Sequence, residues 1–140
     1  MDRKQIAQQA LQLKNKGDLL NLLNQIKKAE IEDMGFDASM YHPFTEKQLN
    51  FYCNPNHTFH RYRQFKIKKK SGGTRQITAP RTQSFMMMLS VVNELFRSMY
   101  TPSEYAMGFT DGRSVVTNAS AHLGMDYILN LDLKDFFPRI

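Results

Sequence analysis

"FKIKKKSGGTRQITAP" (residues 65–80) is where the period of the chain changes. Phe65 and Ile67 alternate with lysines, and beyond Ser71-Gly72-Gly73 the residues Arg75, Ile77 and Ala79 alternate with polar ones. A period of two is the mark of a strand. The paired glycines supply the positive-φ positions that a tight connection requires. The stretch predicts a β-hairpin, with Pro80 ending the second strand because proline donates no ladder hydrogen bond.

Toward the N-terminus the spacing is helical. A helix is predicted over residues 3–16, with Ile6, Ala10 and Leu13 on one face, followed by a break at Gly17 and an N-cap at Asp18. The next helix carries Leu19, Leu22, Leu23 and Ile26, with Lys27 and Lys28 near its C-terminal end. "MGFDASMYHPF" reads as irregular, and "TEKQLNFYC" as a short capped helix stopped by "NPN". On the other side of the hairpin, Phe85, Met88, Leu89, Val92, Leu95, Phe96 and Met99 repeat at i, i+3, i+4 and i+7 between Thr82 and Tyr100. Met86, Met87 and Val91 add a second apolar face, so this helix is expected to be buried on two sides. A loop, a helix around "SVVTNASAHL" and a buried strand at "YILNLDL" complete an α+β order without repeats or low-complexity tracts.

Composition narrows the function classes. At 140 residues, 41% hydrophobic and 23% charged, the chain has the make-up of one globular domain. "MDRKQIAQQA" has no apolar core of a secretory signal, and no apolar run nears the roughly 18 residues of a membrane span. A single cysteine, Cys53, excludes an internal disulfide and suits a reducing compartment, so a cytoplasmic protein with no membrane partner is expected. The balance of 19 Lys+Arg against 13 Asp+Glu gives +6, which favours a polyanionic partner. The excess is local, since residues 61–81 hold many lysines and arginines and no acid.

Four clusters carry candidate chemistry. Lys68, Lys69 and Lys70 on one arm of the hairpin, with Arg75 on the other, suit a triphosphate, although lysines on a sheet edge also serve simply to discourage aggregation. In "GFTDGRS" (108–114), small residues permit close backbone approach, Arg113 suits phosphate and Ser114 suits a helix cap; an ordinary loop reads the same way. Asp132, at the tip of "ILNLD", has the placement of a metal-binding carboxylate, with Asp135 three residues on; a turn and a helix cap are the plain alternative. Cys53, His57 and His60 have partial zinc-ligand spacing but lack a fourth ligand.

Taken in order, "FKIKKKSGGTRQITAP", the long helix, "YAMGFTDGRSVVTNASAH" and "ILNLDLKDFFPRI" resemble the N-terminal part of a bacterial reverse transcriptase, closest to the retron type, with the group II intron type near it. The resemblance covers roughly residues 60–140 and implies the fingers of a right-hand polymerase followed by its first palm strand. It divides the chain into an N-terminal helical region (1–60), fingers (61–125) and the start of the palm (126–140). It makes Asp132 the first catalytic aspartate, with the Leu133 carbonyl as a further metal ligand. Lys69 and Arg75 become grips for the dNTP triphosphate, with Asp135 and Phe136 beside it. Phe137 becomes the bulky residue that excludes a ribose 2′-hydroxyl. Lys68, Lys70, Phe109, Gly112, Arg113 and Asn118 fall in segments near the template. The implied partners are an RNA template, a DNA or RNA primer and dNTP, and the implied cofactor is Mg²⁺ in a two-metal site.

That site is incomplete in these residues, because no Tyr-x-Asp-Asp and no Asp-Asp pair occurs. The expectation is a piece holding the fingers and first catalytic motif without the rest of palm and thumb, inactive by itself. Two other functions compete. One is a non-catalytic single-stranded nucleic-acid-binding module using Tyr62, Phe65 and the lysines; the other is template-free DNA synthesis on the same fold.

Overall fold

The computed structural model describes residues 1–133, apart from the side chains of Ala38, Thr58 and Phe59. Six helices and one two-stranded sheet make up this part: α1 (Arg3–Ala10), α2 (Lys16–Asp33), α3 (Glu46–Cys53), α4 (Thr58–Arg61), β1 (Tyr62–Lys68), β2 (Thr74–Pro80), α5 (Gln83–Met99) and α6 (Val115–Ser120). Short 3₁₀ turns at Ala38–Met40 and Pro55–His57 flank α3. The mixed α+β class is as expected. The chain forms two compact units, Met1–Tyr100 and Thr101–Ile140.

Local chemistry accounts for the helix ends. Asp2 and Gln5 close a capping box on α1, and Thr45 and Gln48 close another on α3. The first break falls earlier than the sequence reading placed it. α1 stops at Ala10, and Asn15, not Asp18, caps α2 by accepting from the Asp18 amide at 3.0 Å. Asp18 sits in the first turn and its carboxylate accepts from the Lys14 amide at 3.0 Å, which ties the incoming chain to the helix. Gly17 lies inside that turn, and a Cβ there would come within 3.1 Å of the Asn15 side-chain oxygen. α2 then runs to Asp33, so Lys27 and Lys28 lie within it.

The core of the first unit is a single cluster. Ile6 and Ala10 of α1, Leu22, Leu23 and Ile26 of α2, Leu49 of α3, and Met88, Val91 and Leu95 of α5 enclose Phe44, which comes from the irregular segment. Asn24 holds that segment down with both ends of its amide. Its Nδ2 donates to the Phe44 carbonyl at 3.0 Å, and its Oδ1 accepts from the Phe44 amide at 2.6 Å. The Lys27 ammonium completes the pin, lying 4.1 Å from the Phe44 ring centre and donating to the His42 carbonyl.

Two expectations are corrected. α5 is buried on one face only, through Phe85, Met88, Val91 and Leu95; Met86, Leu89, Phe96 and Met99 are exposed. A helix apolar nearly all round offers two candidate stripes, and here the one that meets α1 and α2 is the one that is covered. The strand expected at 127–133 does not form. A strand needs a neighbour for its ladder, and among the described residues the only sheet is β1 with β2. Ile128, Leu129, Leu131 and Leu133 are accordingly exposed.

One titratable group bears on stability. Burial, reinforced by the nearby Glu94 carboxylate and opposed by a hydrogen bond with Ser90, raises the Glu30 carboxyl above the ordinary range. The surrounding cavity of about 200 Å³ is also lined by Met1 and Asp33, and Arg3 pairs with Glu94 at 2.7 Å. Because the folded value is raised, the charged form is the costly one. The cost is absent below the unfolded value and appears as pH rises through the folded one. Glu30→Gln, which keeps the contact with Ser90, should therefore melt higher than the wild type at pH 7. The gain is at most about 1 kcal/mol, since the group is only part-buried. It should fade toward about pH 3.5, where the wild-type carboxyl carries its proton in both states. Equal melting curves at both pH values would remove this account.

Candidate nucleic-acid interface

The hairpin is anchored at its base and free at its tip. Tyr62 meets the Phe85 ring edge-on at 5.1 Å, and Tyr52 stacks on Phe85 at 4.7 Å, so an aromatic trio joins β1 to α3 and α5. The Arg61 guanidinium donates to the Tyr52 carbonyl, and the Arg81 amide closes the mouth of the hairpin on the Arg61 carbonyl at 2.8 Å. The strands pair antiparallel from Tyr62 opposite Pro80 to Lys68 opposite Thr74. At the tip the Lys69 amide donates to the Gly73 carbonyl, while Gly72 and Gly73 adopt φ of 89° and 77°. Both are values that a side chain strongly disfavours.

The register sorts the side chains into two faces. Arg63, Phe65 and Ile67 share one with Ala79, Ile77 and Arg75; Tyr62, Gln64, Lys66 and Lys68 share the other with Pro80, Thr78, Gln76 and Thr74. A 2.8 Å hydrogen bond from Gln76 to Gln64 fits that assignment. Lys68 and Arg75 thus project from opposite faces, and they meet only near the tip. There, a shallow cavity of about 370 Å³ is lined by Ile67, Lys68, Lys69, Lys70, Ser71 and Arg75. All four cations are exposed, and among the described residues none of them pairs with a carboxylate. Unpaired cations around a concavity are suited to an anion with several oxygens. On the Arg75 face the half-exposed Phe65 carries the Arg63 guanidinium 5.7 Å from its ring centre, a combination that also suits a nucleobase.

The second unit holds the remaining candidates. Gly112 takes φ of 74°, Ser114 caps α6 by accepting from the Thr117 amide at 3.2 Å, and Asn118 is exposed within α6. Arg113 is turned inward: its Nη1 donates to the carbonyls of Ser103, Glu104 and Ala106 at 2.6, 2.9 and 2.7 Å. Nothing in the spacing of "GFTDGRS" signalled this. Phe109 stands fully exposed at φ of 56°.

Asp132 and Leu133 lie in irregular, exposed chain. Asp135, Phe136 and Phe137 fall outside the described residues. Among the described residues no three His, Cys, Asp or Glu side chains converge as metal ligands. His57 stacks against Phe51 at 5.0 Å, with His60 6.1 Å from it, and Cys53 is exposed. Among the described residues, no helix is long and apolar enough to cross a membrane.

No family model matches the chain, and no solved structure matches it. Curated relatives do. The chain is 37% identical over 86 residues to the retron Mx65 reverse transcriptase of Myxococcus xanthus, an alignment covering 61% of this chain and 20% of that protein. It is 37% identical over 79 residues to the retron Mx162 reverse transcriptase of the same organism, covering 56% of the chain and 16% of the relative. Against the retron Ec86 reverse transcriptase of Escherichia coli the identity is 32% over 82 residues, covering 57% and 25%. The chain therefore spans a quarter or less of the length of these relatives, and over a little more than half of itself it is similar to retron reverse transcriptases.

Proposed function

We propose that the chain is the fingers-side portion of a retron-type RNA-directed DNA polymerase, with the hairpin tip as its phosphate grip. The observation that carries this reading is the cluster of unpaired cations around the tip cavity, in a chain similar to retron reverse transcriptases. Lys69 and Arg75 would place positive charge where pyrophosphate leaves, with the lysines as point charges and the arginine as a two-pronged donor. Lys68 and Lys70 would hold the RNA template. Asp132, with the Leu133 carbonyl, would contribute to a Mg²⁺ site that other carboxylates complete. Asp135 and Phe136 would flank the triphosphate, and Phe137 would bar the 2′-hydroxyl. The chain alone would not polymerise, since one carboxylate cannot place two metals on a primer end.

The test is primer extension on an RNA template by residues 1–140 joined to the downstream polymerase segment of a relative. Asp132→Ala should abolish synthesis while the melting curve is kept, and Phe137→Val should admit ribonucleotides. Undiminished synthesis by Asp132→Ala would end the catalytic reading. The exposed Phe65 with Arg63 over its ring favours a second reading, a non-catalytic module that binds single strands through the hairpin. In that case the joined polypeptide binds RNA and extends nothing.

A further inference from the structure

Phe109 is a bulky residue in a conformation that bulky residues avoid, and its ring touches nothing: its exposure is 109% at φ of 56°. Among the described residues it is the only non-glycine with positive φ. An apolar ring in that state gains nothing from burial, and its backbone carries strain. Something else must hold the conformation, and the surrounding loop shows what does.

The Arg113 Nη1 sits inside residues 103–113 like a rivet, bonded to the carbonyls of Ser103, Glu104 and Ala106. It has two hydrogens for three carbonyls, so one N–H is shared and no hydrogen of Nη1 remains for a ligand. Three further bonds complete the closure: the Ala106 amide to the Ser103 carbonyl at 3.1 Å, the Arg113 amide to the Thr110 carbonyl at 3.2 Å, and the Thr110 hydroxyl to the Gly108 carbonyl at 3.2 Å. Pro102, Ala106, Met107, Thr110 and Arg113 are half-buried within the loop, whereas Phe109 is turned out.

We propose that Phe109 is a stacking platform for an unpaired nucleobase and that Arg113 is a positioning residue which holds the loop that carries it. A ring carried on a backbone that is already held loses less freedom when a base lands on it than one on a mobile loop, and stacking on an aromatic face is tolerant of base identity. The inference rests on the nucleic-acid reading of the chain and assigns these two residues within it.

The test is the affinity of the whole 140-residue chain for a single-stranded RNA oligonucleotide carrying 2-aminopurine, followed by anisotropy and by quenching of the base. Phe109→Gly removes the ring and relieves the left-handed backbone, so affinity should fall about tenfold while the melting temperature holds or rises. Phe109→Trp should keep the affinity. Arg113→Ala should lose a similar factor with the salt slope unchanged, and adding it to Phe109→Gly should cost nothing further. A slope shallower by about 0.7 in Arg113→Ala would instead mark a phosphate contact and overturn the positioning role. Wild-type affinity in Phe109→Gly, with salt-dependent RNA binding intact, would overturn the platform alone. A wild-type chain that binds no RNA would overturn both this inference and the reading beneath it.

Discussion

Leu23→Ala is expected to lower the stability of the first unit by about 2–5 kcal/mol. Leu23 is 1% exposed, at the centre of the cluster in which α2 meets α1 and α5. The site has little room to collapse around a cavity, because Ile6, Ile26 and Val91, nearly or fully buried on three separate helices, belong to the same cluster. For a unit of this size such a loss lowers the melting temperature by about 10–30 °C, a large part of a stability that is commonly only 5–15 kcal/mol. Met86→Ala is the control. Its side chain lies on the exposed apolar face of α5, where truncation should cost no more than about 0.5 kcal/mol. Thermal melts followed by circular dichroism compare the two. Equal shifts would mean that α5 packs through the other face.

What could be read from the sequence was local. Thr45 and Gln48 announce their helix because a capping box is complete within four residues. Gly72 and Gly73 announce the hairpin because no other residue takes their φ values so readily. α5 was legible as a helix but not in its orientation, since Leu89 and Leu95 are equally apolar and only contact with α1 and α2 decides which is covered. The seat of Phe44 was not legible either: it depends on Asn24, twenty residues away, presenting its amide as a substitute backbone. The segment 127–133 has a strand's composition, and composition supplies no partner for its ladder. At the site, Lys68 and Arg75 fall on the two strands as the period predicts, but Lys69 and Lys70 lie in the turn beyond β1, and the register sets Lys68 and Arg75 on opposite faces. The inward turn of Arg113 had no signal at all, because three backbone carbonyls look the same in any sequence.

Replacing Lys68, Lys69 and Lys70 together by alanine should produce a large loss of RNA affinity, and it separates the two meanings of a lysine-rich hairpin. If the lysines meet phosphates, each releases a condensed counterion when single-stranded RNA binds. The slope of log K against log salt then becomes shallower by about 0.7 per contact, or about 1.4 for Lys68 and Lys70, the two assigned to the template. Between 50 and 200 mM salt the wild type would lose about 7-fold more affinity than the variant does. The fold should not change, since all three side chains are exposed at the end of β1 and in the turn, away from the core. If the lysines serve only to keep a two-stranded edge from pairing with other chains, the outcome is reversed. RNA affinity and its salt slope would stay at the wild-type values, while the variant associates on a sizing column. Anisotropy titrations at the two salt concentrations, run beside the sizing column, place the variant in one class or the other. A monomeric variant with an unchanged slope would remove the assignment of Lys68 and Lys70 to the template.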